Sequence, residues 1–263
     1  MTGFVDLRNV RLSYGQADDA TLALDGLDMS IQEGEFAAVV GPSGCGKSTL
    51  MKLATGLITP QEGTVEVARQ EVSGPVSIAG MAFQNPSMLP WRSTLSNVML
   101  PLEIVQPHRA NLRREKAGYT AQAEELLKLV GLGGFGEKYP WQLSGGMQQR
   151  ANLCRALIHD PALLMLDEPF GALDAFTREE LWQVMRDLHA EKSFTVILVT
   201  HDLREAVYLA DTVFVMSARP GKIIERREVS FARPRSIDLI YEAAFNDIVH
   251  DLRALIAEAR VAA

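Results

Sequence analysis

Short apolar runs separated by glycine-bearing loops occupy the first third of the chain. The run Phe36–Val40 is continuous and ends at Gly41, which is typical of a strand buried on both faces of a sheet. A helix is predicted from about Lys47 to Leu57. The other strands predicted here are Phe4–Leu12, Leu22–Ile31, Gly63–Ala68 and Val76–Phe83. We expect the N-terminal strands to form a small antiparallel sheet beside the core.

The middle of the chain is mainly helical, from Thr94 to Ile158, and Ala121–Val130 is its clearest helix. The proline- and arginine-bearing stretch Pro107–Arg114 is expected to interrupt this region. After Pro161, strands and helices alternate again, which predicts a mostly parallel sheet covered on both faces. The elements predicted there are the strands Ala162–Leu166, Thr195–Thr200 and Thr212–Met216 and the helices Thr177–Lys192 and Leu203–Leu209.

The tail has its own periodic pattern, because apolar residues at Ile240, Ala244, Ile248 and Leu252 favour an amphipathic helix over Ile237–Ala259. Together these elements predict an α/β core over residues 4–230, with a helical insert at about 88–158. A short C-terminal helical extension covers residues 231–263.

Composition restricts the partners more than the fold. The balance of 26 basic and 33 acidic residues gives a net charge of −7, so no nucleic-acid partner is expected. Two cysteines, Cys45 and Cys154, cannot build a disulfide framework, and a reducing compartment fits them best. Neither a secretory signal nor an apolar run of the ~18–20 residues that a membrane span needs is present, so we expect a chain that reaches membranes only through partners.

The segment Gly41–Ser48, GPSGCGKS, matches the phosphate-loop pattern G-x-x-x-x-G-K-S/T in full. Its glycines allow successive N–H groups to point at an anion, and the following helix presents its positive end. Lys47 would place a charge near the β- and γ-phosphates, and the Ser48 hydroxyl can ligate Mg²⁺. The alternative is a glycine-rich turn without a ligand, with Cys45 as a small loop residue rather than a redox group.

An apolar run, Leu163–Leu166, ends in the acids Asp167 and Glu168. The carboxyl ends of parallel strands are where such folds bind ligands. Asp167 is therefore a candidate to hold Mg²⁺ through its water shell, and Glu168 can orient or deprotonate the water that attacks the γ-phosphate. The alternative is an acid pair at a helix N-terminus.

The segment Gln142–Arg150, QLSGGMQQR, resembles the signature of ATP-binding cassette (ABC) ATPases, with Met147 in place of the commonest glutamine. The other landmarks follow in the family's order: the phosphate loop, Gln84, LLMLDEP, Gly171–Asp174, and His201 after TVILVT. The resemblance covers roughly residues 4–230. It implies a P-loop NTPase (RecA-like) core with an N-terminal antiparallel β subdomain and an inserted α-helical subdomain, which binds and hydrolyses ATP with Mg²⁺.

The resemblance also implies roles for single residues. Ser144, Gly145 and Gly146 would face the γ-phosphate bound by a second copy, in a head-to-tail dimer that encloses two ATP molecules. Gln84 would touch Mg²⁺ and the attacking water, and His201 would contact the γ-phosphate and Glu168. The expected cofactor-binding residues are Tyr14, Gly41, Pro42, Ser43, Gly44, Cys45, Gly46, Lys47, Ser48, Thr49, Ser144, Gly145, Gly146 and Asp174; the catalytic ones are Glu168, His201 and Gln84; the metal ligands are Ser48, Gln84 and Asp167.

Two of these assignments have plainer alternatives. Tyr14 sits where an aromatic ring stacks on adenine in the family, but it is also compatible with an ordinary strand residue. His201 is also compatible with a helix-cap histidine. Asp174 resembles the aspartate that links the two halves of the dimer.

The stretch Met88–Glu103, with the later Arg233-Pro234-Arg235, resembles the nitrate/sulfonate/taurine-type importer ATPases, a group that includes thiamine-precursor importers. This implies uptake of a small solute through two membrane permease subunits that dock near Gln84–Asn97, with an external solute-binding protein. It also implies a peripheral place on the cytoplasmic face of the inner membrane. The alternatives are that Met88–Trp91 is buried core of the insert, or that the chain serves an exporter, a lipid-release system or a soluble ABC ATPase.

Overall fold

The computed structural model describes residues 3–15 and 20–261, which fall into two units. The first unit holds the described residues up to Val76 and from His189 onward, and the second holds Ser77–Leu188. In chain order, the strands are β1 (Val5–Tyr14), β2 (Thr21–Ile31), β3 (Phe36–Val40), β4 (Glu62–Val67), β5 (Gln70–Glu71), β6 (Ala79–Ala82), β7 (Leu163–Asp167), β8 (Thr195–Val199), β9 (Thr212–Met216) and β10 (Ile223–Glu228). The α-helices are α1 (Lys47–Ala54), α2 (Thr94–Val98), α3 (His108–Leu129), α4 (Gly145–Leu157), α5 (Ala175–Lys192), α6 (Leu203–Leu209) and α7 (Ala243–Val261). Short 3-10 helices cover Leu100–Glu103, Pro140–Gln142 and Ile237–Tyr241.

The first unit contains an antiparallel sheet in the order β2-β1-β4-β5. Val5 pairs with Ile31 on one side and with Val67 on the other, and all three side chains are buried. The small antiparallel sheet expected from the N-terminal sequence is therefore present, and β5 adds a two-residue strand that the pattern did not predict.

A second sheet of the first unit has the order β10-β9-β3-β8. Strand β3 lies between β8 and β9 and is parallel to both. Every residue of these three strands is buried, which explains their continuous apolar sequences. Strand β10, with the sequence IIERRE, pairs antiparallel at the edge. The hydrophobic pattern did not predict β10, because most of its residues are charged, which is common in edge strands.

The second unit pairs β6 with β7 in parallel, with Ala82 opposite Leu166. Helix α4 packs closely against β6. The approach requires a glycine at position 80 of β6, since a Cβ there would collide with the carbonyl oxygen of Ala156 in α4. The other α-helices of this unit are α2, α3 and most of α5.

The expected interruption at Pro107–Arg114 is wrong. Helix α3 begins at His108, directly after Pro107, and runs without a break to Leu129. A proline just before the first turn removes no helical hydrogen bond, and the arginines that follow are good helix formers. The predicted strand Val76–Phe83 is also shorter, since only Ala79–Ala82 pairs as β6.

The tail forms two helices rather than one. A 3-10 helix, Ile237–Tyr241, ends at Glu242, whose backbone is extended (ψ 146°), and α7 then begins. Within residues 3–15 and 20–261, no helix combines the length and apolar character that crossing a lipid bilayer requires.

Candidate active site

In the first unit, the loop between β3 and α1 is shaped to receive an anion. Gly44 and Gly46 adopt left-handed conformations, with φ of 77° and 105°. A Cβ at Gly46 would lie 2.7 Å from Leu24 Cδ2, so a side chain there would not fit. Helix α1 begins at Lys47 without a side-chain cap and without an acid in its first turn. The first N–H groups of a helix lack intrahelical partners, so this end suits a phosphate.

The ammonium of Lys47 is held against this loop. Its Nζ donates to the carbonyl oxygens of Gly41 at 2.9 Å and of Pro42 at 3.0 Å. It also lies 3.7 Å from the sulfur of Cys45, which is fully buried. The positive charge is thereby kept at the loop, where a polyphosphate would bind.

Two further expected site residues of the first unit lie beside α1 and the loop. The hydroxyl of Tyr14 is 3.3 Å from the hydroxyl of Thr49 in α1, while 42% of Tyr14 stays exposed. His201 follows β8, and its position is set by the Thr200 N–H bond to the Val39 carbonyl oxygen. His201 and the phosphate loop therefore leave neighbouring parallel strands at the same edge.

In the second unit, Gln84 and Glu168 meet directly. Gln84 follows β6, Glu168 follows β7, and the amide Nε2 of Gln84 donates to Glu168 Oε2 at 2.9 Å. Glu168 has a φ of 47°, a left-handed backbone conformation that costs a residue with a side chain on the order of 1 kcal/mol. Asp167, the last residue of β7, is half-buried. The sequence placed these residues at strand ends, and the structure brings Gln84 and Glu168 into contact.

The signature segment forms the start of α4, which ends close to the expected Ile158. Ser144 is the N-cap, and its hydroxyl accepts a hydrogen bond from the Met147 N–H at 3.3 Å. Gly146 packs on the segment that follows Glu168, since a Cβ there would lie 2.9 Å from Leu173 Cδ2. The first turn of α4 contains no acid.

Asp174 has a local structural role at the start of α5. Its carboxylate accepts bonds from the Thr177 N–H at 3.0 Å and from the Thr177 hydroxyl at 2.8 Å. These bonds, the backbone one foremost, lower the pKa of Asp174, so the group is a carboxylate at neutral pH.

The expected docking segment, Gln84–Asn97, is partly at the surface, because its first half is exposed or half-buried while Thr94 and Asn97 are buried. Trp91 is 72% exposed and Pro90 is exposed, whereas Met88 and Leu89 are half-buried. A cavity of about 430 Å³ in the second unit lies next to this segment without including Met88–Trp91. It is lined by Ala79, Met81, Phe83, Ser87, Leu100, Pro101, Ile104, Val105, Arg155, Ala156 and His159. The sequence patterns did not predict this cavity.

The described residues hold no cluster of three His, Cys, Asp or Glu side chains that could bind a metal ion. Mg²⁺ is usually bound by one or two protein oxygens together with substrate phosphates, so Ser48 and Asp167 are suitable donors. The first unit has a phosphate-loop sequence after a buried parallel strand, and the second has a carboxylate bonded by a glutamine amide. Both features are typical of the class of P-loop nucleotide hydrolases.

Comparisons with known proteins give the family. The family model described as ABC transporter matches residues 24–171. The chain is 43% identical over 211 residues to the taurine import ATP-binding protein TauB of Yersinia pestis bv. Antiqua, covering 80% of each protein. It is 41% identical over 224 residues to the aliphatic sulfonates import ATP-binding protein SsuB of Bacillus licheniformis, covering 85% of this chain and 84% of that protein.

The fold agrees with a solved cassette. A dimeric post-hydrolysis structure of the ATP-binding cassette MJ0796 with ADP and Pi matches with a TM-score of 0.75 and 30% identity, over 87% of this chain and 100% of that one. The chain therefore belongs to the ABC transporter family and is an ABC-type ATPase. The family, fold class and ATPase activity expected from the sequence are confirmed.

Proposed function

We propose that this chain is the ATP-hydrolysing subunit of an importer for small solutes, with Glu168 as its general base. The observation that carries the proposal is the hydrogen bond of 2.9 Å between Gln84 Nε2 and Glu168 Oε2. A carboxylate that is oriented by an amide donor can accept a proton from a water molecule within hydrogen-bond reach.

The remaining residues have separable roles. Lys47 and the N–H groups of the loop 41–48 bind the phosphates, and Tyr14 offers its exposed ring to the adenine. Ser48, Asp167 and Gln84 would hold Mg²⁺, which would neutralise charge on the phosphates. His201 donates to the γ-phosphate, and Asp174 links the two halves of the dimer.

Two substitutions test the catalytic assignment. Glu168→Gln keeps size and removes the base, so we expect normal ATP binding with kcat lowered at least about a hundredfold. Lys47→Ala removes the loop ammonium, and ATP affinity is expected to fall sharply. Glu191→Gln, an exposed position of α5, is the matched control. Turnover of Glu168→Gln near the wild-type rate would remove Glu168 from its role.

The cassette is further proposed to work as a head-to-tail dimer in which Ser144–Gly146 engage the nucleotide of the other copy. The likeness to a dimeric cassette and the acid-free start of α4 support this arrangement. We expect Glu168→Gln to dimerise when ATP is added, as seen by light scattering. A monomer at saturating ATP would contradict the sandwich.

Import requires membrane partners: two permease subunits docking near Gln84–Asn97, and an external solute-binding protein. The exposure of Trp91 argues against the alternative that this segment is buried core. The relatives named for taurine and aliphatic sulfonates favour a sulfonate as the solute. With such partners, the chain lies on the cytoplasmic face of the membrane.

The docking proposal has a matched pair of variants. Trp91 and Tyr241 are both 72% exposed aromatics, in the second and first units respectively. In a complex with the permease and taurine-loaded binding protein, Trp91→Ala is expected to lose the stimulated ATPase activity and keep the basal one. Tyr241→Ala should keep both. Equal stimulation of the two variants would contradict docking at Trp91.

A further inference from the structure

Helix α4 holds the backbone directly before Gln84. The amide Nε2 of Gln149 donates to the Phe83 carbonyl oxygen at 3.3 Å, and the amide Nδ2 of Asn152 donates to the same oxygen at 3.0 Å. Both donors lie in the core, with exposures of 2% for Gln149 and 0% for Asn152. A single carbonyl that takes two buried amide donors is fixed relative to the helix that supplies them.

The backbone after Gln84 is held by the same helix. Arg155 donates to the carbonyl oxygens of Pro86 and Ser87. Its guanidinium also donates to Asn152 Oδ1 at 2.6 Å. Asn152 therefore connects the two contacts of α4 with this backbone. Its Nδ2 bonds the residue before Gln84, and its Oδ1 bonds Arg155, which in turn bonds the residues after Gln84.

The signature segment lies at the N-terminal end of this helix. Helix α4 is continuous from Gly145 to Leu157, with Ser144 as its cap. At a rise of ~1.5 Å per residue, Asn152 lies about 12 Å along the axis from Ser144. A hydrogen-bonded helix resists compression, so a displacement of its first turn is transmitted to the side chains one to two turns later. From Asn152 the path continues to Phe83, Gln84 and the carboxylate of Glu168.

We propose that Gln149, Asn152 and Arg155 are positioning residues that keep Gln84 on Glu168, and that they connect the signature of each copy with its own catalytic carboxylate. The inference rests on the proposed function, in which the signature serves the nucleotide of the other copy. The path then links the two hydrolysis sites of the dimer, so the coupling between them depends on Asn152.

The test is an exchange of one donor. Asn152→Asp keeps the size and the acceptor for Arg155 but replaces the donor to Phe83 by an oxygen. We expect kcat to fall about tenfold, the Hill coefficient for ATP to move towards 1, and ATP affinity to stay within about twofold. The control is Gln122→Glu, because Gln122 Nε2 donates to the Ile158 carbonyl oxygen at the other end of α4, at 3.2 Å. It should leave all three quantities unchanged.

A double substitution separates positioning from simple packing. If Asn152 acts through Gln84, then Asn152→Asp lowers kcat no further in a Gln84→Ala background. The same tenfold loss in both backgrounds overturns the proposal, and so does an equal loss in Gln122→Glu. If Asn152→Asp strongly lowers the melting temperature, Arg155→Lys replaces it as the test variant. This substitution keeps the positive charge and removes the planar guanidinium, and the same changes in kcat, Hill coefficient and ATP affinity are expected.

Failure of this inference and of the catalytic assignment are distinguishable when Glu168→Gln is measured alongside. Normal turnover of Glu168→Gln refutes the catalytic role of the carboxylate. An inactive Glu168→Gln together with unchanged kinetics of Asn152→Asp refutes only the positioning role of α4.

Discussion

Arg235 provides a direct test of how the C-terminal extension is attached. It is 2% exposed, and its Nη1 donates to the carbonyl oxygens of Val207, Tyr208 and Ala210, at 3.0, 2.9 and 2.7 Å. Nη2 donates to the Val229 carbonyl oxygen at 3.0 Å. Three of these acceptors lie at the C-terminal end of α6, where carbonyl groups lack helical partners and a cation is favourable. Burial lowers the pKa of Arg235 to about 10, so it is charged at neutral pH.

Arg235→Met keeps an unbranched apolar stem in place of the arginine methylenes and removes every donor. Nη1 carries two hydrogens for three acceptors, so about three effective hydrogen bonds are lost. At roughly 1 kcal/mol for each effective hydrogen bond lost, the loss is about 3 kcal/mol. In a chain of this size that corresponds to a melting temperature lower by about 6–12 °C.

The assay is thermal unfolding followed by circular dichroism without nucleotide. Arg226→Met is the control, since Arg226 is exposed and pairs with Glu228 at the surface; its effect is expected to stay below about 0.5 kcal/mol. Arg235→Lys keeps the charge with fewer well-placed donors and is expected to fall between wild type and Arg235→Met. A shift below about 2 °C for Arg235→Met would show that the carbonyl bonds do not stabilise this attachment.

Two further predictions concern the nucleotide and pH. Tyr14→Ala should weaken the binding of ATP and of GTP about tenfold each, because stacking depends only on the face of the aromatic ring. Tyr14→Phe loses only the hydrogen bond to Thr49, so its ATP affinity, measured by calorimetry, should stay within about twofold of wild type. Desolvation lowers the pKa of His159 and of His189, so the unfolded chain binds more protons near pH 6.5 and stability falls as pH drops through that value. Between pH 7.5 and pH 5.5, the melting temperature of His159→Asn should therefore fall less than that of the wild type. His250 is exposed, so His250→Asn is the control and should behave like the wild type. A wild-type melting temperature that does not change with pH would contradict this prediction.

The sequence was most informative where the chemistry lies in contiguous residues. The phosphate loop is eight successive positions that run from the end of a buried strand into the first turn of a helix, so the sequence predicted where this loop lies in the fold. Strand β3 was equally clear, because a strand covered on both faces has no polar positions. Such features depend on local sequence alone, and they agree with the structure.

Features set by distant partners could not be predicted in the same way. The attachment of Gln84 depends on Gln149 and Asn152, which are more than sixty positions away, and their amides look like ordinary polar helix residues in the sequence. The charged strand β10 is defined by its pairing with β9 rather than by an apolar pattern. The separation of the two tail helices at Glu242 likewise could not be predicted, because no proline or glycine marks it in the sequence.

Several of the proposed functional residues also begin helices, and this decides how they should be probed. Ser144 caps α4, and Asp174 bonds the first turn of α5. Helix starts combine free N–H groups with a positive potential, so a fold that binds phosphates there places caps and functional groups in the same residues.

Alanine at Ser144 would therefore lose about 1 kcal/mol of helix stability as well as any contact with a nucleotide. Asn at position 174 keeps an acceptor for the Thr177 N–H and removes the charge. A change in turnover for Asp174→Asn at unchanged melting temperature thus reports on the carboxylate itself. The same change in Asp174→Ala would mix that contribution with the weakening of α5.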